Sequence, residues 1–278
     1  MTENTYIFDP ESANELARLI TQSHFFIEMC GGPLAGIEER PNIRTILDLG
    51  CGPGGWVLDV AFARPKSEVA GIDISKAMVD YANARALSQQ LTNASFGVMN
   101  ITEPLDFSDE TFDYVHMTLL FAVLKRHQWL PYLKECRRIL APGGLFQSIE
   151  FVHTVSNSPA LQREYDLVAQ YLFDTGYGFS STGSTVGVAT ALPQVLRRLG
   201  FTNIRQKAYL QDFSQGSAMW ANFYRNQEVM STMLLPLFVK RDMLTQEDAD
   251  ALHRQLMLEI ISDDFTCTGY CHGVEAEK

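Results

Sequence analysis

The sequence predicts an α/β fold built on a doubly wound parallel sheet with helical insertions. Short apolar runs alternate with helix-like segments between residues 44 and 152, and this alternation is typical of parallel strands joined by helices. The first run ends in the glycine cluster Gly50-Cys-Gly-Pro-Gly-Gly55, which leads into a helix. A strand, a tight loop and a helix in this order often form the ligand-binding corner of such a sheet.

Composition limits the classes of protein to consider. The 278 residues are 46% hydrophobic and 20% charged, which excludes intrinsic disorder. With 22 basic and 33 acidic side chains the formal net charge is −11, which disfavours binding to nucleic acid or to an anionic membrane surface. Five irregularly spaced cysteines, and no signal-like or bilayer-spanning apolar segment, lead us to expect a reduced, cytoplasmic protein.

The elements follow in order along the chain. An amino-terminal helical cover is expected over residues 1–40, with a helix that starts at Asp9-Pro10 and ends at Gly31-Gly32-Pro33. The core, residues 41–152, should hold strands at 44–50, 69–74, 95–99, 112–117 and 144–151. Helices are expected between them at 56–63, 76–91 and 129–140.

The rhythm changes after residue 152. Residues 153–190 are expected to be a substrate-covering insert, and its loop Gly176 to Gly187 is either a lid or a surface connection. Residues 191–278 should complete the sheet with a helix at 192–199 and strands at 201–213 and 265–274. A helical insert at about 214–264 contains the capping-box-like Thr245-x-x-Asp248. The last four residues are expected to be a solvated end.

The glycine loop favours a nucleoside joined to an amino acid. Gly50-x-Gly52-x-x-Gly55 also fits a dinucleotide fingerprint, but Asp48 beside it favours an ammonium group and Pro53 removes one phosphate-binding N–H. Asp73, roughly 20 residues on, is placed to accept hydrogen bonds from ribose hydroxyls. The alternatives are a purely structural turn at the loop and a helix cap at Asp73.

Four segments together resemble class I S-adenosylmethionine-dependent methyltransferases. They are residues 46–55, Val69-Ala-Gly-Ile-Asp73-Ile-Ser75, Phe112-Asp-Tyr-Val-His-Met117 and Leu140-Ala-Pro-Gly-Gly-Leu145. The resemblance implies a Rossmann-like, seven-stranded sheet whose last strand is antiparallel, with S-adenosyl-L-methionine as cofactor. The cofactor-binding residues it implies are Asp48, Gly50, Gly52, Gly54, Asp73, Ile74, Met78, Asn100, Ile101 and His116.

One position departs from the family pattern. Many members carry an acidic residue at Asn100 that contacts the adenine amino group, and we expect the Asn100 carbonyl oxygen to take that place. Met78, Met99 and Ile101 either enclose the adenine or belong to the core.

Three residues at the carboxyl ends of strands are the catalytic candidates. His116 follows the fourth strand, and Glu150 and His153 end the fifth. His116 is either a general base or a cofactor contact, Glu150 is a base, an amine anchor or a charge stabiliser, and His153 is the weakest candidate of the three. Each also has an ordinary explanation as a hydrogen-bonded polar residue at a strand end.

The covering segments are dense in aromatic residues, which favours a small apolar or aromatic acceptor. These residues are Tyr6, Phe25, Phe26, Tyr165, Tyr171, Phe173, Tyr177, Phe179, Trp220, Phe223 and Tyr224.

The leading hypothesis is methyl transfer to an oxygen or nitrogen of such an acceptor. The alternatives are methylation of a prenyl-like or aromatic carbon, a protein that binds the cofactor without transfer, an NAD-type oxidoreductase and a macromolecular acceptor. We expect no metal site at Cys267-x-x-x-Cys271-His272, because the spacing is not that of a zinc pair. A homodimer is a further expectation.

Overall fold

A computed structural model describes residues 5–278, which form a single seven-stranded sheet flanked by helices. The first four residues of the expected amino-terminal cover lie outside the described residues. The strands are β1 (Thr45–Leu49), β2 (Glu68–Asp73), β3 (Ala94–Val98), β4 (Phe112–Thr118), β5 (Leu140–Ser156), β6 (Thr202–Asp212) and β7 (Cys267–Glu277). The helices are α1 (Ala13–Met29), α2 (Gly55–Ala63), α3 (Lys76–Ser88), α4 (Trp129–Ile139), α5 (Pro159–Asp174), α6 (Val188–Arg198), α7 (Trp220–Lys240) and α8 (Gln246–Ile260).

The strand order β3-β2-β1-β4-β5-β7-β6 confirms the predicted fold class. Strands β1 to β5 pair in parallel, whereas β7 pairs antiparallel with both β5 and β6. The strand order reverses between β1 and β4, so the loops that follow these two strands diverge and leave a crevice at their carboxyl ends. The glycine loop follows β1 and therefore opens onto that crevice.

The amino-terminal helix begins later than predicted. It starts at Ala13, and Asp9 accepts a hydrogen bond from the Glu11 N–H in a turn before it. The Glu11 carboxylate accepts hydrogen bonds from the backbone N–H groups of Lys76 and Ala77 at the start of α3. This contact holds residues 9–11 against the core, so they do not extend α1.

The carboxyl terminus is also different from the expectation. The predicted solvated tail belongs to β7, which runs to Glu277 between β5 and β6. Ala276 is completely buried, and Glu277 forms an ion pair with Arg40 at 2.7 Å. The predicted last strand therefore extends three residues beyond residue 274, and the acidic side chain of Glu277 is accommodated there because it pairs with Arg40 and Asn203.

The later elements follow the prediction in kind, with shifted ends. Strand β5 continues to Ser156, so the expected insert from residue 153 begins inside it, and α6 begins at Val188. The capping box at Thr245 is confirmed, since its side chain accepts a hydrogen bond from the Asp248 N–H. Helices α5, α7 and α8 pack on one another, and α1 packs against α7. No helix within residues 5–278 has the length and apolar character to cross a membrane.

Candidate active site

A cleft opens at the carboxyl ends of β1, β2 and β4, beneath α1. We call it the sheet-edge cleft. Nine of the ten residues predicted to bind the cofactor line this cleft. They are Asp48, Gly50, Gly52, Asp73, Ile74, Met78, Asn100, Ile101 and His116. Gly54, the tenth, does not line it. Its φ of +77° starts α2, and a Cβ there would lie 2.8 Å from the Cβ of Ala82, so Gly54 lets α2 approach α3.

The glycine loop is anchored to β2 by its backbone. The N–H groups of Gly50 and Cys51 both donate to the Ile72 carbonyl oxygen at 2.9 Å. The Gly52 N–H donates to Asp73 Oδ2 at 2.9 Å, while the Ser75 N–H donates to Asp73 Oδ1 at 2.9 Å. The loop and the end of β2 therefore form one rigid wall of the cleft.

The Asp73 carboxylate has unused hydrogen-bond acceptor sites. Each carboxylate oxygen has about two lone-pair sites, and each uses one for a backbone N–H. Burial raises the pKa of Asp73, and the hydrogen bonds from Ser75 and Gly52 oppose that rise. One further acceptor site on each oxygen suits the two adjacent hydroxyls of a ribose.

Asp48, His116 and Trp56 form a fixed group at the other wall. His116 Nδ1 lies 2.8 Å from Asp48 Oδ1, and its Nε2 lies 3.2 Å from the Thr118 hydroxyl. The Trp56 ring stacks on the imidazole with centroids 3.9 Å apart. Because a carboxylate only accepts, Nδ1 carries a hydrogen, and in the neutral imidazole Nε2 accepts the hydrogen bond of the Thr118 hydroxyl. The sequence analysis missed Trp56 as a cleft residue.

The Asn100 prediction needs a correction. Its carbonyl oxygen already accepts hydrogen bonds from the N–H and the hydroxyl of Thr102, at 3.0 and 2.9 Å. Its amide nitrogen is buried in the cleft wall and makes no hydrogen bond within the described part of the chain. Asn100 therefore offers a donor to a bound base, which fits a ring nitrogen of adenine such as N1 instead of the exocyclic amino group.

Glu150 lies away from the cleft, and its catalytic role finds no support in this geometry. It is completely buried on β5, where Oε1 and Oε2 each accept a backbone N–H, from Leu120 and Phe121, at 3.1 Å. Burial raises its pKa to about 8, against these two hydrogen bonds. Leu119, just before them, has a left-handed backbone with φ of +58°. Glu150 thus stabilises a strained turn. Its catalytic role stays a prediction. The catalytic role of His153 also stays a prediction, since His153 lines neither this cleft nor the cavity beside it.

A second, apolar cavity adjoins the sheet-edge cleft, and we call it the side cavity. Residues from α1, β5, α5, α7 and β7 line it, and Gln22, Phe26 and Leu119 line both spaces. Stacked rings form its walls, with Phe151 against Tyr165 at 5.5 Å between centroids. A flat apolar molecule in the side cavity would thus have one end at the sheet-edge cleft.

The predicted aromatic cover is divided between the cavities and the core. Phe25, Phe26, Tyr165 and Phe223 line the side cavity, and Tyr6 lines the sheet-edge cleft with Phe26. The other six of the eleven line neither space. The loop from Gly176 to Gly187 also lines neither, and Arg126 donates to the Gly178 carbonyl oxygen within it. Tyr177 and Val186 of this loop are buried in the hydrophobic core. The loop is therefore fixed against the protein, which favours a connection over a lid.

The sequence analysis missed a buried carboxyl group in the side cavity. Glu164 is 1% exposed on the buried face of α5, which it shares with Leu161 and Leu167. A carboxylate is unusual at a helical position whose spacing places it among the core residues. Once α5 is assigned, the spacing of Glu164 from Leu161 and Leu167 predicts that its side chain is buried.

Comparison with known proteins agrees with this geometry. Residues 46–144 match the family model described as a methyltransferase domain. The matched segment runs from β1 through the turn that starts β5, and it contains the glycine loop, Asp73, Asn100 and His116. Over these residues the chain is similar to class I S-adenosylmethionine-dependent methyltransferase domains. The cofactor is S-adenosylmethionine, and the acceptor sites left on Asp73 and the unpartnered amide of Asn100 fit the ribose and adenine of that molecule.

Two curated relatives match part of this chain over part of their own length. Demethylmenaquinone methyltransferase from Geobacillus sp. is 35% identical over 119 residues, which are 40% of this chain and 48% of that protein. The Bacillus licheniformis protein of the same name is 36% identical over 111 residues, 40% and 46% of the two chains. The match spans about half the length of these relatives.

Solved structures share the fold of the methyltransferase domain and its surroundings. The YcgJ protein from Bacillus subtilis superposes with a TM-score of 0.54 and 15% identity, over 88% of this chain and 97% of that one. Phosphoethanolamine N-methyltransferase 2 from Haemonchus contortus, solved with S-adenosylhomocysteine, superposes with a TM-score of 0.55 and 17% identity. The superposition covers 98% of this chain and 60% of that one.

Proposed function

We propose that the protein is an enzyme that transfers a methyl group from S-adenosylmethionine to a small, largely apolar acceptor. The observation that carries this proposal is the side cavity, which meets the sheet-edge cleft at Gln22, Phe26 and Leu119. An acceptor in the cavity approaches the cofactor across that junction. The aromatic walls of the side cavity suit an acceptor with a flat carbon skeleton.

The bound cofactor supplies an activated methyl group, so the chain has to align the acceptor and exclude water. Phe26 and Leu119 provide an apolar junction between the two spaces, and Glu150 holds the turn that sets Leu119 there. His116 Nε2 is the base that we propose for a hydroxyl or a protonated amine, since Asp48 fixes the orientation of its ring.

Oxygen or nitrogen is the proposed target, and carbon is the second candidate. The relatives named for demethylmenaquinone favour a quinone-like acceptor and a ring-carbon target, although the match covers only 40% of this chain. A methylated product distinguishes the two, because a new methyl carbon bonded to carbon, oxygen or nitrogen has a different ¹³C chemical shift when labelled cofactor is used. We also propose a cytoplasmic homodimer that acts on no nucleic acid, which sedimentation and an oligonucleotide-binding assay would test.

The proposed function can be tested by a substitution at the junction between the side cavity and the sheet-edge cleft. Phe26→Trp adds bulk where the cavity meets the cleft, and we expect S-adenosylhomocysteine to bind about as well as to the wild type while methyl transfer to any small acceptor is lost. Phe62→Trp is the matched control, because Phe62 is 79% exposed on α2 and lines neither space. Unchanged turnover by Phe26→Trp would mean that the acceptor enters elsewhere.

A further inference from the structure

The side cavity contains a buried carboxyl group with no counter-charge. Glu164 lines the cavity and is 1% exposed, and Gln227 donates its side-chain N–H to Oε1. Oε2 is buried and makes no hydrogen bond with any described residue. The Ser231 hydroxyl, which lies 3.0 Å from His253 Nδ1, is a second hydrogen-bonding neighbour of the Glu164 carboxyl group, and like Gln227 it lowers the pKa of Glu164. A buried oxygen without a hydrogen bond lowers the stability of the fold unless a bound ligand donates a hydrogen bond to it.

A second acceptor atom without a donor lines the same cavity. Asn226 lies on α7 one residue before Gln227, and its Oδ1 is buried with no hydrogen bond among residues 5–278. Among residues 5–278, no lysine, arginine or histidine lines the cavity. The other titratable side chains along it are Tyr165, Tyr270 and Cys271, and burial raises the pKa of Tyr165 and of Cys271, which keeps both neutral. The cavity therefore has unused acceptors and no cation of its own.

We propose that Glu164, with Asn226, binds a protonated amine on the methyl acceptor. Neither residue lines the sheet-edge cleft, so the anchored amine lies apart from the atom that receives the methyl group. The acceptor is then an apolar, ring-containing amine that is methylated at its other end. Burial raises the pKa of Glu164 to about 7, and a bound ammonium group lowers it again, so binding near neutral pH releases a proton. This inference rests on the proposed function for its reaction, but the binding site exists independently of transfer.

The experiment uses three probes with one carbon skeleton: 2-(2-naphthyl)ethylamine, 2-(2-naphthyl)ethanol and 2-ethylnaphthalene. Each is titrated by calorimetry into the protein saturated with S-adenosylhomocysteine at neutral pH. We expect the amine to bind about tenfold or more tightly than the hydrocarbon, with the alcohol between them. Repeating the amine titration in two buffers of different ionisation enthalpy should reveal proton release.

Variants assign the preference to the residues. Glu164→Gln is expected to reduce the amine preference to about threefold or less and to abolish proton release, and Asn226→Ala is expected to reduce the preference in part. Glu228→Gln is the matched control, since Glu228 is exposed on α7 beside Gln227, and it should change nothing. Melting temperatures show that each variant is folded.

Three results would overturn the proposal: equal binding of amine and hydrocarbon, equal binding of amine and alcohol, or an amine preference that survives Glu164→Gln. The proposed function fails by a different result, because a protein that binds the amine through Glu164 and transfers no methyl group to any acceptor keeps this inference and loses the reaction.

Discussion

Replacement of Asp73 should weaken cofactor binding by an amount that the geometry sets. Each of its oxygens holds one backbone N–H and has one acceptor site left for a ribose hydroxyl. A hydrogen bond to a charged group contributes about 1.5–3 kcal/mol. Asp73→Ala loses two of them, about 3–6 kcal/mol, which lowers the affinity for S-adenosylhomocysteine by roughly a hundredfold to ten-thousandfold.

A double-mutant cycle separates this effect from a change in the loop. The second ligand is the 2′,3′-dideoxy analogue of S-adenosylhomocysteine, measured by calorimetry against the wild type and Asp73→Ala. The missing hydroxyls should reduce affinity for the wild type and have little effect on the variant, because the partner is already gone. Asp80→Ala, at a surface position on α3 that pairs with Lys76, is the control. Equal penalties for the analogue in both proteins would refute the assignment of Asp73 to the ribose.

Further predictions concern the base, the turn and the glycine loop. Wild type should bind S-adenosylhomocysteine more tightly than S-inosylhomocysteine, by about tenfold, and Asn100→Asp should narrow the gap, because hypoxanthine N1 carries a hydrogen that repels the Asn100 amide; an unchanged ratio would contradict the corrected role. Glu150→Ala should lower the free energy of unfolding by about 2–6 kcal/mol, since two buried N–H groups lose their acceptor. The pKa of Glu150 is raised in the folded protein to about 8, so as pH rises the unfolded chain loses this proton before the folded chain does. The free energy of unfolding of the wild type should therefore fall between about pH 5 and pH 8, and its excess over that of Glu150→Ala should shrink over that range in urea titrations. An excess that grows with pH would contradict this prediction. Gly54→Ala should destabilise the fold more than Gly143→Ala, because both have φ near +75° but only Gly54 has atoms within 3 Å of a new Cβ; equal melting temperatures would refute the packing role.

The cofactor half of the molecule was predictable because local signals and topology agree there. The glycine loop follows β1, and Asp73 and His116 lie near the carboxyl ends of β2 and β4. Parallel strands bring their carboxyl ends to one edge whatever the details of packing. The resemblance to the methyltransferase family added the antiparallel last strand, which β-α alternation alone does not predict. The fold class, and the placement of nine of the ten predicted cofactor-binding residues around one cleft, followed from these two sources.

Other features depended on contacts between distant parts of the chain. Glu11 caps α3 from 65 residues away, which delays the start of α1. Glu150 is at the predicted strand end, but its oxygens face backbone N–H groups of residues 120 and 121 instead of the cleft. Asn100 is in the predicted place with the opposite hydrogen-bonding role, because Thr102 occupies its oxygen. Side-chain direction and hydrogen-bond partners of this kind are set by tertiary packing, which a sequence pattern does not contain.

Transfer of labelled methyl groups tests the central claim most directly. The protein is incubated with S-adenosylmethionine labelled at its methyl carbon and an organic-solvent extract of its native cells, beside Asp73→Ala as a control. The account predicts label in a small, solvent-extractable product with the wild type, together with S-adenosylhomocysteine, and neither with the variant. A wild-type protein that binds S-adenosylhomocysteine but moves no label, or moves it only into precipitated macromolecules, would contradict the account.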